Sequence, residues 1–402
     1  MSVQVYLIPG FMGLRTLGGG SYFRRVPDML TAALRERGID DVTVYECPSL
    51  ASGAIAQRAR QLLVWMLERG AAEADSVHLV GHSSGGLDAR LLAAPGVRLL
   101  DGEVEARVGG RVRSLISVST PHHGTPVANL LLTLPFHRTL EKLGRFGATR
   151  PGQAVLLLTM QILELLAQLE EWLGREDSIL DAAADRLLQH VARRTDDPTW
   201  EYLHELARDR GAAPDLTTDS MQLFNAAVRD RPETRYSSLI TVAPPPRGPR
   251  ARDLLAPIHG VAKLAFRVLY GMASRVVGEY PDAAVKPAAL NLGDFSAPLS
   301  IDRHSNDGIV PCQSQAYGAV LDIVQGDHLD IVGQFRGARD DHAEWLPSGA
   351  RFGELEFKSA WSQIADELTA SERAWDGRRG EVARGSTAKK RAGKKARRKR
   401  AA

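Results

Sequence analysis

The sequence predicts an α/β fold in which a mostly parallel central sheet carries helices on both faces. The first observation is an alternation of short β-like runs with amphipathic helical patterns over the first ~120 residues, the order expected of βαβ units. The second is composition: 44% of the 402 residues are hydrophobic and 25% are charged, as is usual for a soluble globular protein. Two cysteines cannot staple a chain of this length, so a disulfide scaffold is excluded.

Four strands and three helices are predicted in the N-terminal third. The strands are Val3–Ile8, Val42–Tyr45, Val77–Val80 and Arg113–Ser119, and the helices are Tyr22–Arg37, Ile55–Glu68 and Leu87–Ala94. In the first helix, apolar residues recur at helical spacing, and Gly38 ends the pattern. The order of these elements implies parallel strands that are joined by helices.

The rest of the chain predicts helical insertions into this sheet and a tail. A mostly helical pattern covers about residues 127–232, and a Pro-rich break precedes a second helical piece at about 253–278. The remaining predicted elements are the strands Tyr236–Val242 and Ala319–Val324 and the helix Phe357–Leu368. We therefore expect one domain over residues 1–370, with two helical insertions, and a disordered basic tail over residues 371–402.

A serine lies in the turn between the third predicted strand and the helix that follows it. The segment Gly81-His82-Ser83-Ser84-Gly85 matches the pattern G-x-S-x-G. Such a turn holds the serine in a strained conformation with its Oγ exposed, while the glycines let neighbouring backbone pass closely. An ordinary Gly-rich turn is the alternative, but the flanking strand and helix are those that a nucleophile requires. We expect Ser83 to be a nucleophile.

A nucleophilic serine needs a histidine base and an acid that orients it. After a strand–serine–helix turn of this kind, the acid and then the histidine follow the serine in the chain. Asp307 lies in a predicted turn, and His328 follows the apolar run 320–324. His122 and His123, which follow another strand end, are the rivals for the base. The chain order favours Asp307 and His328.

Two backbone N–H groups are needed to stabilise the oxyanion that forms on the substrate. The N–H of Ser84 is one candidate, because it follows the serine at a helix N-terminus. The second donor is expected from the loop after the first strand, residues 9–13, where Phe11 is our candidate.

These segments together resemble the bacterial secreted triacylglycerol lipases, which are α/β-hydrolases. Residues 80–87 resemble the family's V-G-H-S-x-G-G, residues 117–125 resemble T-P-H-x-G-(S/T), and residues 9–13 resemble its oxyanion loop. Residues 306–310 and 328–330, with Gln334, resemble its acid and histidine segments. The resemblance covers most of residues 3–335 and implies an α/β-hydrolase fold with a helical lid or cap insertion.

The resemblance also implies a calcium site, which the sequence leaves open. The family's calcium ligands would correspond to Asp330 and Gln334, but two ligands are too few for calcium. The second aspartate has several possible counterparts: Asp282, Asp294 and Asp302. A surface acid, or one that orients the loop of His328, is the alternative for Asp330. Pro9 stands where the family has a histidine, and no organic or redox cofactor is expected.

Two helical patterns have broad apolar faces. In Ala154–Trp172 the polar residues fall on one face and the remaining surface is almost wholly apolar. This is typical of a lid that covers a site in water and meets lipid when open; an ordinary buried cap helix is the alternative. The helix at about 253–278 has a cationic stripe with Lys263 and Arg267. It fits either an anionic membrane surface or a solvated helix face.

The charge of the chain is unevenly distributed. Nine of the twelve residues in Lys389–Arg400 are basic, although the net charge of the whole chain is only +3. This tail fits the binding of polyanions such as nucleic acid, polyphosphate or anionic lipid, or a solubilising role. We expect a cytoplasmic protein, because no signal peptide or long apolar segment is recognisable. Association with a membrane, lipid-droplet or granule surface is left open.

The expected function is that of a serine carboxylester hydrolase, a lipase or esterase that cleaves acyl esters such as lipids through an acyl-enzyme. An acyltransferase or an intracellular polyester depolymerase on the same fold is the alternative among enzymes. A polyanion-binding protein with a degenerate hydrolase body is the alternative from another class.

Overall fold

A parallel sheet of six strands organises the part of the chain that the structure describes. The structure is a computed structural model, and it describes residues 2–10, 21–48, 53–133, 212–246, 257–275, 301–335 and 346–375. The strands are β1 (Val3–Ile8), β2 (Val42–Glu46), β3 (Ser76–His82), β4 (Val112–Val118), β5 (Arg235–Val242) and β6 (Ala319–Gln325). Their order is β2-β1-β3-β4-β5-β6, and every pairing is parallel.

Helices connect these strands. They are α1 (Val26–Glu36), α2 (Ile55–Leu67), α3 (Gly85–Ala93), α4 (Glu103–Gly109), α5 (Pro126–Thr133), α6 (Ala212–Asp215), α7 (Thr218–Ala227), α8 (Pro257–Ala273), α9 (Cys312–Gln315) and α10 (354–375). A short 3-10 helix covers Asp330–Val332. The predicted strands and long helices of the described residues are therefore present, with shifts of a few residues at their ends.

Each face of the sheet is covered by its own hydrophobic cluster. In β1, successive side chains point to opposite faces, and all four residues from Val5 to Ile8 are buried. Val5 and Leu7 pack in one cluster with α1 and α10, whereas Tyr6 and Ile8 pack in another with α2 and α3. A strand that is buried on both faces reads as a continuous apolar run, which explains the sequence of β1.

The chain direction across the sheet creates a crevice beside the first strand. From β1 the chain moves outward to β2, then returns past β1 to β3 and continues to β6. The loops after β1 and β3 therefore diverge at the carboxyl edge, which is where open α/β sheets bind their ligands. With helices on both faces and the strand–serine–helix turn after β3, the chain has the predicted α/β-hydrolase fold.

The first helix begins four residues later than predicted. Arg25 has a φ of 62°, in the left-handed region that a right-handed helix cannot pass through. Pro27 then occupies the first turn of α1, where no backbone N–H is needed. Tyr22 and Phe23, predicted to be helical, instead lie before the helix with buried side chains. This shift determines where the hydroxyl of Tyr22 lies.

Two further elements differ from the prediction. Helix α4 was not expected from the sequence, because it is short and has charged residues at three of its seven positions. The last helix extends over residues 354–375 rather than 357–368. Most of its additional residues are polar or small, so the apolar pattern alone does not mark its full length.

Several predictions concern residues outside the described ranges. The proposed lid segment Ala154–Trp172, most of the first insertion and the basic tail at 389–400 all lie there. Of the second insertion, only α8 is described. Among the described residues, no helix combines the length and apolar character needed to cross a membrane.

Candidate active site

Three of the predicted site residues, Ser83, Asp307 and His328, lie at the carboxyl edge of the sheet. Gly10 follows β1, Ser83 follows β3, and His328 follows β6. Asp307 lies in the long connection between β5 and β6. Because the strands are parallel, all these segments end at the same edge, so residues far apart in the chain lie next to each other.

Ser83 occupies a sharp turn between β3 and α3. Its φ is +54°, which places a non-glycine residue in the left-handed region at an energetic cost. Its N–H donates to the carbonyl oxygen of Val118 at 2.8 Å, so the neighbouring strand β4 supports the turn. Helix α3 begins two residues later, and its N-terminus favours negative charge in front of it. This is the geometry expected of a nucleophilic serine.

Gly10 approaches the serine so closely that only glycine fits. A Cβ added there would lie 2.5 Å from Cβ of Ser83 and 3.0 Å from its Oγ. The N–H of Gly10 donates to the hydroxyl of Tyr22 at 3.3 Å. That N–H is therefore already engaged by Tyr22. The next N–H along the chain is that of Phe11, which lies outside the described residues.

Asp307 and His328 form a buried hydrogen-bonded pair. Nδ1–H of His328 donates to Oδ2 of Asp307 at 2.7 Å, and the N–H of His328 donates to the carbonyl oxygen of Asp307 at 3.0 Å. Asp307 is fully buried and His328 is almost so. The ring and the backbone of the histidine are thus both fixed by one acidic residue. The arrangement leaves Nε2 as the ring nitrogen that can exchange a proton with another group.

The carboxylate of Asp307 is held by four other donors besides His328. Its Oδ1 accepts from the N–H groups of Ile309 and Val310, at 3.0 and 2.7 Å. Its Oδ2 accepts from Oγ1 of Thr241 at 2.9 Å and from Nε2 of Gln315 at 3.2 Å. A buried carboxylate this well supported can stabilise an imidazolium beside it.

The structure separates the two rival histidines from this pair. The ring of His122 is fully buried and stacks on Tyr317, with 4.5 Å between ring centroids. Its Nε2 contacts Oγ of Ser117 at 2.9 Å, and its Nδ1 lies 3.2 Å from Nη1 of Arg90. Burial, together with the positive charge of Arg90, lowers the pKa of His122 well below its usual value. Both ring nitrogens are engaged, so His122 is poorly suited to be a base.

Burial also lowers the pKa of His123, and Arg90 adds to the effect. The backbone N–H of His123 donates to Oγ of Ser314 at 3.1 Å. The contacts around these two histidines therefore tie the loop after β4 to α9. His328 is the histidine that the structure joins to an acid at the sheet edge.

Ser83 and His328 are brought to the same edge without a hydrogen bond between their side chains. His82, which precedes Ser83 in the chain, lies next to His328, with 4.8 Å between the two ring centroids. Catalytic hydrogen bonds are often long before substrate is bound and tighten in the complex. Ser84, predicted as an oxyanion donor, is fully buried directly before α3.

The described residues do not by themselves form a calcium site. Oδ2 of Asp330 accepts from the N–H of Asp327 at 2.8 Å, so this acid supports the turn that carries His328. Nε2 of Gln334 donates to the carbonyl oxygens of Ser21 and Tyr22, at 3.4 and 3.2 Å. Within the described ranges, no group of three or more His, Cys, Asp or Glu side chains is arranged to hold a metal.

Of the remaining candidate aspartates, Asp302 is described, and its carboxylate is engaged by neighbouring residues. Oδ1 of Asp302 accepts from the N–H of His304 and from Oγ of Ser305, at 2.8 and 3.0 Å. Asp282 and Asp294 lie outside the described residues. Calcium binding stays a prediction from the resemblance.

Sequence reasoning missed Thr241, Gln315 and Tyr22 as members of the site. Thr241 lies inside the apolar strand β5, where a threonine is an ordinary strand residue. Gln315 ends α9, a helix of four residues with no sequence signal. Tyr22 was assigned to the first helix. Thr241 and Tyr22 contact residues that are 66 and 60 positions away, and Gln315 contacts Asp307 across eight residues without belonging to a recognisable motif.

Comparison with known proteins gives structural similarity only. No protein-family model matches the chain, and no curated protein matches it in sequence. Among solved structures, lipase 1 from Pelosinus fermentans is similar with 16% identity and a TM-score of 0.49, over 92% of this chain and 98% of its own.

Two further structures are similar at comparable levels. For the lipase of Staphylococcus hyicus the identity is 16% and the TM-score 0.48, over 93% of this chain and 96% of its own. For EstA from Clostridium botulinum the identity is 18% and the TM-score 0.45, over 91% of this chain and 88% of its own. Identities and TM-scores this low do not carry the substrates of these proteins over to this chain.

Proposed function

We propose that the protein is a serine carboxylester hydrolase that cleaves acyl esters, including lipid esters, through an acyl-enzyme. The observation that carries the proposal is the strained serine turn at the same sheet edge as a buried histidine–aspartate pair. Ser83 is the proposed nucleophile, His328 the base and Asp307 the acid that orients it. The N–H groups of Phe11 and Ser84 are the proposed oxyanion donors.

In the first half-reaction, Oγ of Ser83 attacks the ester carbonyl while Nε2 of His328 takes its proton. The carboxylate of Asp307 stabilises the resulting imidazolium and holds the ring in the required tautomer. The oxyanion forms in front of the N-terminus of α3, where negative charge is stabilised. The alcohol leaves with the proton from His328, and the acyl group stays on Ser83.

In the second half-reaction, His328 takes a proton from water, which attacks the acyl-enzyme. Collapse of the second tetrahedral intermediate returns the proton to Oγ of Ser83 and releases the carboxylic acid. No step in this cycle needs a group that the chain does not supply, apart from the ester and water.

Hydrolysis of p-nitrophenyl esters from butyrate to palmitate tests the proposal. We expect Ser83→Ala to lower kcat/KM by several orders of magnitude, as removal of a triad nucleophile does. Ser76→Ala is the matched control, because Ser76 is buried at the opposite end of the same strand. Equal rates for the wild type and Ser83→Ala at every chain length would refute the proposal. The chain-length profile of the wild type also gives the preferred acyl group.

A further inference from the structure

A buried set of hydrogen bonds connects the loop after β1 to the backbone of His328. The hydroxyl of Tyr22 lies 2.6 Å from Nδ1 of His82, and Nε2 of His82 lies 2.8 Å from the carbonyl oxygen of His328. The same hydroxyl is the partner of the N–H of Gly10 at 3.3 Å. Gly10 is the residue that packs against Ser83. The set therefore reaches the proposed nucleophile through two residues: Gly10 packs against Ser83, and His82 precedes it in the chain.

The direction of each hydrogen bond follows from chemistry. A carbonyl oxygen can only accept, so Nε2 of His82 must carry the proton that it shares with His328. Burial, and then the nearby His328, lower the pKa of His82 well below its usual value, so its ring is neutral and Nδ1 is an acceptor. Tyr22 therefore donates to His82 and accepts from Gly10. Burial raises the pKa of Tyr22, which keeps its proton in place.

Other contacts hold Tyr22 in position from the side of β6. Nε2 of Gln334 donates to the carbonyl oxygen of Tyr22 at 3.2 Å. The N–H of Arg24 donates to the carbonyl oxygen of Val332 at 3.0 Å. Tyr22 and His82 are both buried, and their ring centroids lie 5.6 Å apart. The segment before α1 is thus fixed to the segment after His328.

We propose that Tyr22 and His82 are positioning residues, which hold the loop after β1 and the backbone of His328 in register with Ser83 for ester hydrolysis. The inference rests on the proposed function of Ser83 and His328. Neither residue touches the substrate in this scheme, and His82 exchanges no proton. They act by setting where the base and Gly10 lie relative to the nucleophile. Small displacements of such groups lower rates strongly.

The test is Tyr22→Phe, which removes one oxygen and leaves the aromatic ring. With p-nitrophenyl butyrate we expect kcat to fall about 10- to 100-fold, with KM changed less than about twofold. Binding of an alkyl boronic acid, which mimics the tetrahedral intermediate on Ser83, should weaken in proportion to kcat. If Tyr22 acted only in folding, the affinity for the boronic acid and kcat would not fall by the same factor.

Tyr6→Phe is the matched control. Tyr6 is a fully buried tyrosine of β1 whose hydroxyl donates to Oε1 of Gln4 at 2.6 Å, outside the hydrogen-bonded set around Ser83. It should show a similar loss of thermal stability, with kcat unchanged.

His82→Gln provides a second, independent variant, and the double variant tests whether the residues act as a unit. We expect the double variant Tyr22→Phe/His82→Gln to be no less active than the less active of the two single variants, because the effects of coupled residues are not additive. The inference is wrong if Tyr22→Phe keeps the wild-type kcat, or if the two losses multiply. In those cases an inactive Ser83→Ala still supports the proposed function. Hydrolysis that does not depend on Ser83 would instead overturn the proposed function.

Discussion

The carboxylate of Asp307 accepts hydrogen bonds from side chains and backbone that come from three separate segments of the chain. Sequence patterns predicted Ser83, Asp307 and His328 as site residues, because each lies in a local turn with a recognisable composition. They did not identify Thr241 and Gln315, whose contacts with Asp307 span 66 and 8 residues, or Tyr22, which contacts His82 across 60 residues. Contacts of this kind depend on strand order and register, which a single sequence does not display.

Thr241→Val should lower activity because it removes a donor to Asp307 while it preserves the shape of the side chain. The lost hydrogen bond reaches a charged group and is worth about 1.5–3 kcal/mol. We therefore expect kcat/KM for a soluble ester to fall about 10-fold or more. Steady-state kinetics of the purified variant measures this.

Thr234→Val controls for the loss of a buried threonine hydroxyl. Thr234 lies just before the other end of β5, and its Oγ1 donates to the carbonyl oxygen of Val112 at 2.9 Å. This variant should be destabilised without a loss of kcat/KM. A Thr241→Val enzyme as active as Thr234→Val would show that the hydroxyl of Thr241 does not support Asp307.

Among the elements, β3 and α3 pack so closely that side chains are excluded between them. A Cβ on Gly81 would lie 2.5 Å from Cα of Gly86, and one on Gly86 would run into the side chain of Thr120. The G-x-S-x-G pattern predicted close backbone approach at its two glycines, Gly81 and Gly85, whereas Gly86 lies outside the pattern. The buried pair Arg58–Asp88, at 2.6 Å, then joins α2 to α3. No sequence pattern predicted that pair.

Two glycine substitutions within helices should have opposite effects on stability. Gly86→Ala in α3 should destabilise the protein, because the added methyl group collides with Thr120. Gly271→Ala in α8 meets no atom within 4 Å, so the better helix propensity of alanine should stabilise by about 0.5–1 kcal/mol. Urea denaturation of both variants measures the difference. Similar shifts in the same direction would contradict the packing described for α3.

At the scale of the whole molecule, a mostly parallel sheet with helices on both faces was predictable, because the alternation of strands and helices implies βαβ units. The ionisation of buried groups was not, since it depends on how completely the fold excludes water. His82 and His122 have pKa values well below the usual one because both are buried. Burial raises the pKa of Asp88 to about 6, although Arg58 opposes the shift.

These shifts predict that the free energy of unfolding falls as the pH falls from about 7 to 5.5. Below about pH 6.5, these histidines become protonated in the unfolded chain but stay neutral in the folded protein. Each of them lowers the free energy of unfolding by up to about 1.4 kcal/mol per pH unit. Asp88 acts in the opposite direction below about pH 6, because the folded state binds its proton first, but it is one group against three histidines, His82, His122 and His123. Urea unfolding at several pH values measures the slope.

His82→Gln should make this slope shallower, because it removes one of the buried histidines. A free energy of unfolding that is constant, or that rises, between pH 7 and 5.5 would contradict the neutral state of the buried histidines.

The central claim is that Ser83 is a nucleophile activated by His328, and covalent labelling tests it most directly. A p-nitrophenyl alkylphosphonate should transfer its phosphonyl group to Oγ of Ser83 and release p-nitrophenolate, which absorbance and intact mass both detect. We expect a single adduct that peptide mapping places on Ser83, much slower labelling of His328→Ala, and none of Ser83→Ala. Equal labelling of Ser83→Ala and the wild type, or an adduct on another residue, would contradict the account.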